Sequence, residues 1–132
     1  MSTILKSTSV KAYADVSEYC LLEIDTSNTS YPDVYAKVTA ARGSNAFGVA
    51  TADAEADETE TIKYEPLVPG NIYPVVLGET VAAGELICAG AAGAGFDYDT
   101  AGDVALGTCI LGGDAAAIGL FMVDSNFGLV HA

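Results

Sequence analysis

The chain has no tryptophan, a single histidine and only five Lys and Arg residues. Each scarcity excludes a class of function. The histidine, His131, stands one residue from the last position, so a Ser-His-Asp or Cys-His site would have to be built from the tail. No catalytic residue is expected. Without tryptophan and with few long polar side chains, a sugar cleft would lack its usual lining, although carboxylate spacing alone does not exclude glycoside hydrolysis. Eighteen acids face the five bases, a net charge of −13, and no Lys or Arg follows Lys63. Phosphate binding needs clustered cations, so nucleic acid and anionic membranes are not expected partners. The three cysteines, Cys20, Cys88 and Cys109, are odd in number and lack C-x-x-C spacing. That argues against a disulfide framework and a zinc site, and for buried, reduced thiols in a protein made in the cytoplasm. Met1 to Val10 has no apolar core of a leader peptide, and the apolar run Ala115 to Val123 is only nine residues, too short for a membrane helix.

What is present is apolar, small and repetitive. Just over half of the 132 residues are hydrophobic, many of them Ala and Val, which implies one folded domain with a thin core. The organising stretch is Val81-Ala82-Ala83-Gly84-Glu85-Leu86-Ile87, a turn opening into a short strand. Val16 to Ile24 lies over Val81 to Ala89 at an offset of 65 residues. Ala46-Phe47-Gly48-Val49 lies over Ala105-Leu106-Gly107-Thr108 at an offset of 59, and Ile62-Lys63-Tyr64 over Phe121-Met122-Val123. Two copies are too few for a solenoid, so the reading is a duplicated β unit, halves 15–66 and 67–132, preceded by an extended arm over 1–14. Gly48 and Gly107 hold equivalent places inside strands, where glycine marks a bulge or a close backbone approach.

Alternation and turn residues give the rest of the order. Val34 to Thr39 alternates cleanly between the dense turn at 25–33 and the turn Arg42-Gly43-Ser44-Asn45. Asp53 to Glu60 holds Asp53, Glu55, Asp57, Glu58 and Glu60, and such repulsion predicts a solvated hairpin tip without a bound ion. The EF-hand order is absent there, so no metal site is expected. Pro74 inside the apolar run Ile72 to Leu77 predicts an edge strand or bulge. Gly90 to Gly95 lacks the G-K-[ST] of a phosphate loop and reads as a flexible connection. Nothing has helical periodicity over three turns. The fold class is therefore all-β: a small β-barrel or tulip-like sandwich of two similar β units.

Gly78-Glu79-Thr80-Val81-Ala82-Ala83-Gly84-Glu85-Leu86-Ile87, then Ala101-Gly102-Asp103-Val104-Ala105-Leu106-Gly107, then Gly113-Asp114-Ala115-Ala116-Ala117 before a final apolar strand, form a recognisable series. It resembles the head decoration (cement) proteins of tailed bacteriophages, with their V-x-A-G-x-L strand and A-x-G-D segment on a small β scaffold. The first copy matches less well: Tyr19 stands in the place of Gly84, and Ser44-Asn45 replaces the G-D before Ala46. The resemblance implies a non-enzymatic structural protein of the virion, made in the host cytoplasm. It implies a homotrimer on the outer capsid surface, bridging major capsid protein subunits, with no cofactor. The same stretch is similar to the biotinyl/lipoyl carrier hammerhead, but no lysine is left to modify from residue 64 onward.

The arm is the one segment with positive charge and no acid, so Ile4, Leu5, Lys6, Val10 and Lys11 are the candidate capsid contacts. A small acidic β-barrel enzyme or cation-binding domain is the alternative function, and it lacks a usable His, Cys or metal-ligand constellation.

Overall fold

A computed structural model describes residues 10–12, 14–27, 34–55 and 57–132, with the backbone alone at 57–60. Among them the chain is all-β, without an α-helix. Strands β1 (Val10–Ala12), β2 (Leu21–Ile24), β3 (Val34–Val38), β4 (Gly48–Ala50), β5 (Asp57–Thr61) and β6 (Tyr64–Pro66) form one sheet in the order β5-β1-β3-β2-β4-β6. Strands β7 (Ile72–Val76), β8 (Leu86–Ala89), β9 (Gly95–Asp97), β10 (Ala105–Leu111) and β11 (Ile118–Met122) form the second, in the order β7-β11-β10-β8-β9. β1 runs parallel to β3, with Val10 opposite Val34.

The first sheet curls and is buried on both sides at Leu21 and Leu22 of β2, because successive strand residues point to opposite faces. Leu22 joins Val10, Val16, Ala36 and Ile62 inside the curl. Leu21 faces the other way, into a core shared between the sheets with Val49, Tyr73, Val75, Ile87 and Phe121. Small residues at Ala36, Ala50 and Ala89 let these thin layers approach.

The two halves repeat the same hydrogen bonds. The strand order β3-β2-β4-β6 matches β9-β8-β10-β11. Val16 and Ala54 exchange a pair of backbone bonds, as Val81 and Gly113 do. Tyr19 N–H donates to Ala50 O and Gly84 N–H to Cys109 O, both at 2.8 Å. Both donors turn with positive φ, +68° at Tyr19 and +92° at Gly84. The conformation glycine adopts freely in one half is thus imposed on a tyrosine in the other, at a cost of roughly 1–2 kcal/mol. Leu22 faces Gly48 as Ile87 faces Gly107.

Four details differ from the sequence expectations. The register pairs Ala50 with Tyr64 and Cys109 with Phe121, so Tyr64, not Ile62, is the counterpart of Phe121. The connection carrying β5 in the first half is longer than its equivalent, and local matching of three residues slipped by two. Val10 to Ala12, placed in the arm, form a strand between β5 and β3. The acidic segment is not all a hairpin tip, since 57–61 pair with β1 as an edge strand. A charged sequence suits that position, because charge on an edge discourages further pairing. Finally, Gly90 to Gly95 is packed, not free. Gly93 N–H donates to Thr39 O at 3.0 Å, and the Thr39 hydroxyl donates to Gly90 O at 2.7 Å. Thr39 is fully buried, and a Cβ at Gly93 would stand 2.7 Å from that of Cys20. The glycines give room for close packing between the halves.

Pro74 lies on the edge strand β7, as its missing N–H requires. At the joint of the halves the Tyr73 hydroxyl donates to Pro66 O at 2.6 Å and accepts from Val68 N–H at 2.7 Å.

Equivalent positions do not have equal burial. Leu106 is 2% exposed, whereas Phe47 is half-buried and meets Tyr64 edge-on, with ring centroids 5.4 Å apart. Leu106→Ala is expected to cost about 2–5 kcal/mol, and Phe47→Ala less than the roughly 3–5 kcal/mol of a fully buried phenylalanine. Urea melts of both variants check this. A near-neutral Leu106→Ala would be incompatible with the shared core.

Candidate functional site

Of the proposed arm contacts, the described structure holds Val10 and Lys11. Ile4, Leu5 and Lys6 lie outside the described residues. Val10 is 7% exposed and packs in the curl of the first sheet, so its side chain serves the protein's own core. Lys11, its neighbour in β1, is half-buried.

The most concentrated chemistry lies at the seam between the halves, around Arg42. The turn after β3 projects this residue toward β9 and the loop that follows it. Nε donates to Asp103 Oδ1 at 3.0 Å and Nη2 to Asp103 Oδ2 at 2.8 Å, a bidentate pair. Nη2 also reaches Asp97 O at 2.6 Å and Asp99 Oδ1 at 2.9 Å, and Nη1 lies 3.5 Å from Glu79 Oε1. The guanidinium sits 5.2 Å above the Phe96 ring, within range of a cation–π contact. That ring occupies the space a Cβ would need at Gly78 and Gly90.

Asp103 is fully buried and accepts further bonds from Thr100 N–H at 2.9 Å and Asp99 N–H at 3.2 Å. Burial pushes its carboxyl up, but the Arg42 hydrogen bonds and the Thr100 amide outweigh this and hold it below the usual carboxylate range. Hydrogen bonding to Asp103 in turn holds Arg42 above its ordinary value. Asp97 is shifted the other way, upward, by burial and then by Asp99, Glu85 and Glu79. One guanidinium thus serves several acids of a half that has no cation of its own.

Sequence reading placed Arg42 in a turn and assigned it nothing else. A signal was available in hindsight. With no Lys or Arg after Lys63, a buried carboxylate in the second half must draw its counter-ion from the first.

The arrangement stores charge and closes a seam; its reactive groups are blunted. Burial pushes the Cys88 thiol up to about 12 and raises Cys20 and Cys109 as well, which leaves little thiolate at neutral pH. His131 belongs to a docked tail. Its N–H donates to Asp103 O at 2.9 Å, its carbonyl accepts from Gly102 N–H at 3.0 Å, and its ring lies 4.9 Å from Tyr98. Upstream, Val104 and Val130 form a bridge. An apolar cleft of about 370 Å³ opens between the halves, lined by Ala46, Phe47 and Leu67 on one side and Leu106 and Phe127 on the other. No acid, base or thiol lines it. Among the described residues, no three His, Cys, Asp or Glu side chains are placed to hold a metal ion.

No protein-family model matches the sequence, and no curated protein does. Among solved structures, the chain matches the head fiber gp8.5 N base of bacteriophage phi29 with a TM-score of 0.71 at 16% sequence identity. The match covers 93% of this chain and 96% of that one. In fold, the chain is similar to the base of a phage head fiber along nearly the whole of both chains.

Proposed function

We propose that the protein is a structural component of a tailed bacteriophage virion, made in the host cytoplasm and bound as a homotrimer to the outer capsid surface. There it bridges major capsid protein subunits and stabilises the shell. The observation that carries this reading is the likeness to a head fiber base, which extends over 93% of the chain. The decoration-protein series from Gly78 to Ala117 points the same way from sequence alone. The seam supports a mechanical role: its polar groups pair with one another, and its thiols are protonated. Binding that exists only on the assembled shell stabilises that state by mass action, by about 2.7 kcal/mol at a hundredfold excess over Kd. The part of the arm before β1, with Ile4, Leu5 and Lys6, makes the capsid contact, because it joins apolar anchors to positive charge in an acid-free stretch of this acidic chain.

The test mixes purified protein with capsids assembled without it and images them by electron microscopy. The full chain should add density to the outer surface. A chain beginning at Ser9 keeps β1 and should fold but bind weakly. Failure of the full chain to add sinks the virion reading. Equal binding by the shortened chain sinks only the role of the arm.

A further inference from the structure

Three adjacent strands of the second sheet are built without charge in a chain of net −13. The adjacent strands β7, β11 and β10 read Ile-Tyr-Pro-Val-Val, Ile-Gly-Leu-Phe-Met and Ala-Leu-Gly-Thr-Cys-Ile-Leu, with no Asp, Glu, Lys or Arg. Alternation sends Tyr73, Val75 and Phe121 into the core. It sends Ile72, Pro74 and Val76 outward, each opposite an outward residue of β11: Met122, Leu120 and Ile118. Ile110 flanks this pair of rows from β10. Ile72 is 54% exposed, while Ile110 and Ile118 are each 42% exposed. An antiparallel sheet with one solvated face ordinarily alternates apolar and polar residues. Along β7 and β11 this one is apolar on both faces, the pattern of strands covered on both sides, with polar Thr108 of β10 and its partner Asp124 at the rim beside Met122.

We infer that this face is a self-association surface, covered in the working protein by another copy of the same chain. Charge selects the occupant. A basic partner is drawn to acids, such as Glu79, Asp97 and Asp99 at the seam or those of the segment 53–60, and gains nothing from a neutral sheet. Two copies of an acidic chain repel one another least where each presents no charge, and the same apolar face on both is self-complementary. The approach is face to face, because the edge of β7 is closed to strand addition. Val76 N–H points away from β11 and donates to Tyr19 O at 3.1 Å. Pro74, two residues earlier on the same side, has no N–H. Apolar sheet faces pack at about 10 Å in this way. Like faces in contact pair copies two by two, so this surface is separate from the interfaces of the trimer proposed above, and it does not rest on the capsid assignment.

Size-exclusion chromatography with light scattering on the full chain at micromolar concentration tests it. The wild type should elute as an even multiple of 13.4 kDa, and added salt should favour the multiple by screening repulsion. Leu120→Glu should halve the mass while circular dichroism and the melting transition persist. Ile72→Lys, at a more exposed corner, is the second variant should Leu120→Glu fail to fold. Ile24→Glu changes a residue 50% exposed on the other sheet and should leave the mass unchanged. A wild type of one or three chains, a folded Leu120→Glu of unchanged mass, or equal disruption by Ile24→Glu overturns the inference. A monomeric wild type whose Leu120→Glu variant no longer adds to capsids also overturns it, and would assign the face to the shell. An oligomer that fails to add to capsids leaves this inference standing and removes the virion reading.

Discussion

Replacing Arg42 with alanine should cost about 3–5 kcal/mol, enough to leave much of a marginally stable domain unfolded. The cause is the carboxylate left behind. Asp103 is fully buried, and both of its oxygens accept from Arg42. Removing the guanidinium strands that charge away from water. Arg42→Lys should recover part of the loss, since an ammonium restores charge but not the planar, bidentate fork. Asp103→Asn should cost less than Arg42→Ala, because it removes the buried charge and leaves Arg42 able to pair with Asp99 at the surface. Urea denaturation of the three variants orders them. If Arg42→Ala proves milder than Asp103→Asn, the seam is not held in this way.

The same pair sets an acid limit. The folded-state value of Asp103 is lowered, so between it and the unfolded value the native chain binds fewer protons. Its contribution is complete above the unfolded carboxylate value near pH 4 and is lost as pH falls through the folded one. Asp124 acts in the same direction, held down by the Thr108 hydroxyl that donates to it at 2.6 Å. Asp103→Asn should therefore flatten the fall in stability below about pH 4 without abolishing it.

What was legible in the sequence is local, and what was missed is not. Strand alternation at Val34 to Val38, the edge proline Pro74, and the turn at Gly84 each follow from a few neighbouring residues. The repeat made some distant relations readable too. Tyr19 could be matched to Gly84, and both turn with positive φ. The Arg42–Asp103 pair spans 61 residues, and no local pattern announces which of many acids a lone arginine will meet. Gly90 to Gly95 misled for a related reason. Glycine gives a chain freedom and also lets two elements touch, and only the partner, here Thr39 and Cys20, decides which. In the acidic segment, charge could not distinguish a loop from an edge strand. The candidate arm residues were chosen as two cations with apolar anchors, and an apolar residue in a short segment does not reveal whether it anchors a partner or, as Val10 does, completes a core.

Gly107→Ala should be the more damaging of the two matched glycine substitutions, at about 3 kcal/mol or more, with Gly48→Ala nearer the usual 1–3 kcal/mol of an overpacked site. A Cβ at Gly107 would overlap the carbonyl oxygen of Met122. β11 is held between β10 and β7, so that oxygen cannot withdraw without breaking a pairing. At Gly48 the new methyl would stand 2.8 Å from Glu65 O and 2.9 Å from the Tyr64 ring. Here β6 is the last strand of its sheet and can shift outward, and the ring can turn. Gly84→Ala separates crowding from backbone strain. Nothing lies within 4 Å of its Cβ, but φ is +92°, so the expected cost is only the roughly 1–2 kcal/mol of left-handed backbone. Tyr19 already bears that strain in the other half. Thermal or urea melts should rank Gly107→Ala as the least stable of the three. If Gly107→Ala melts with Gly48→Ala, β11 is free to move as an edge strand is, and the central place assigned to it in the second sheet is wrong.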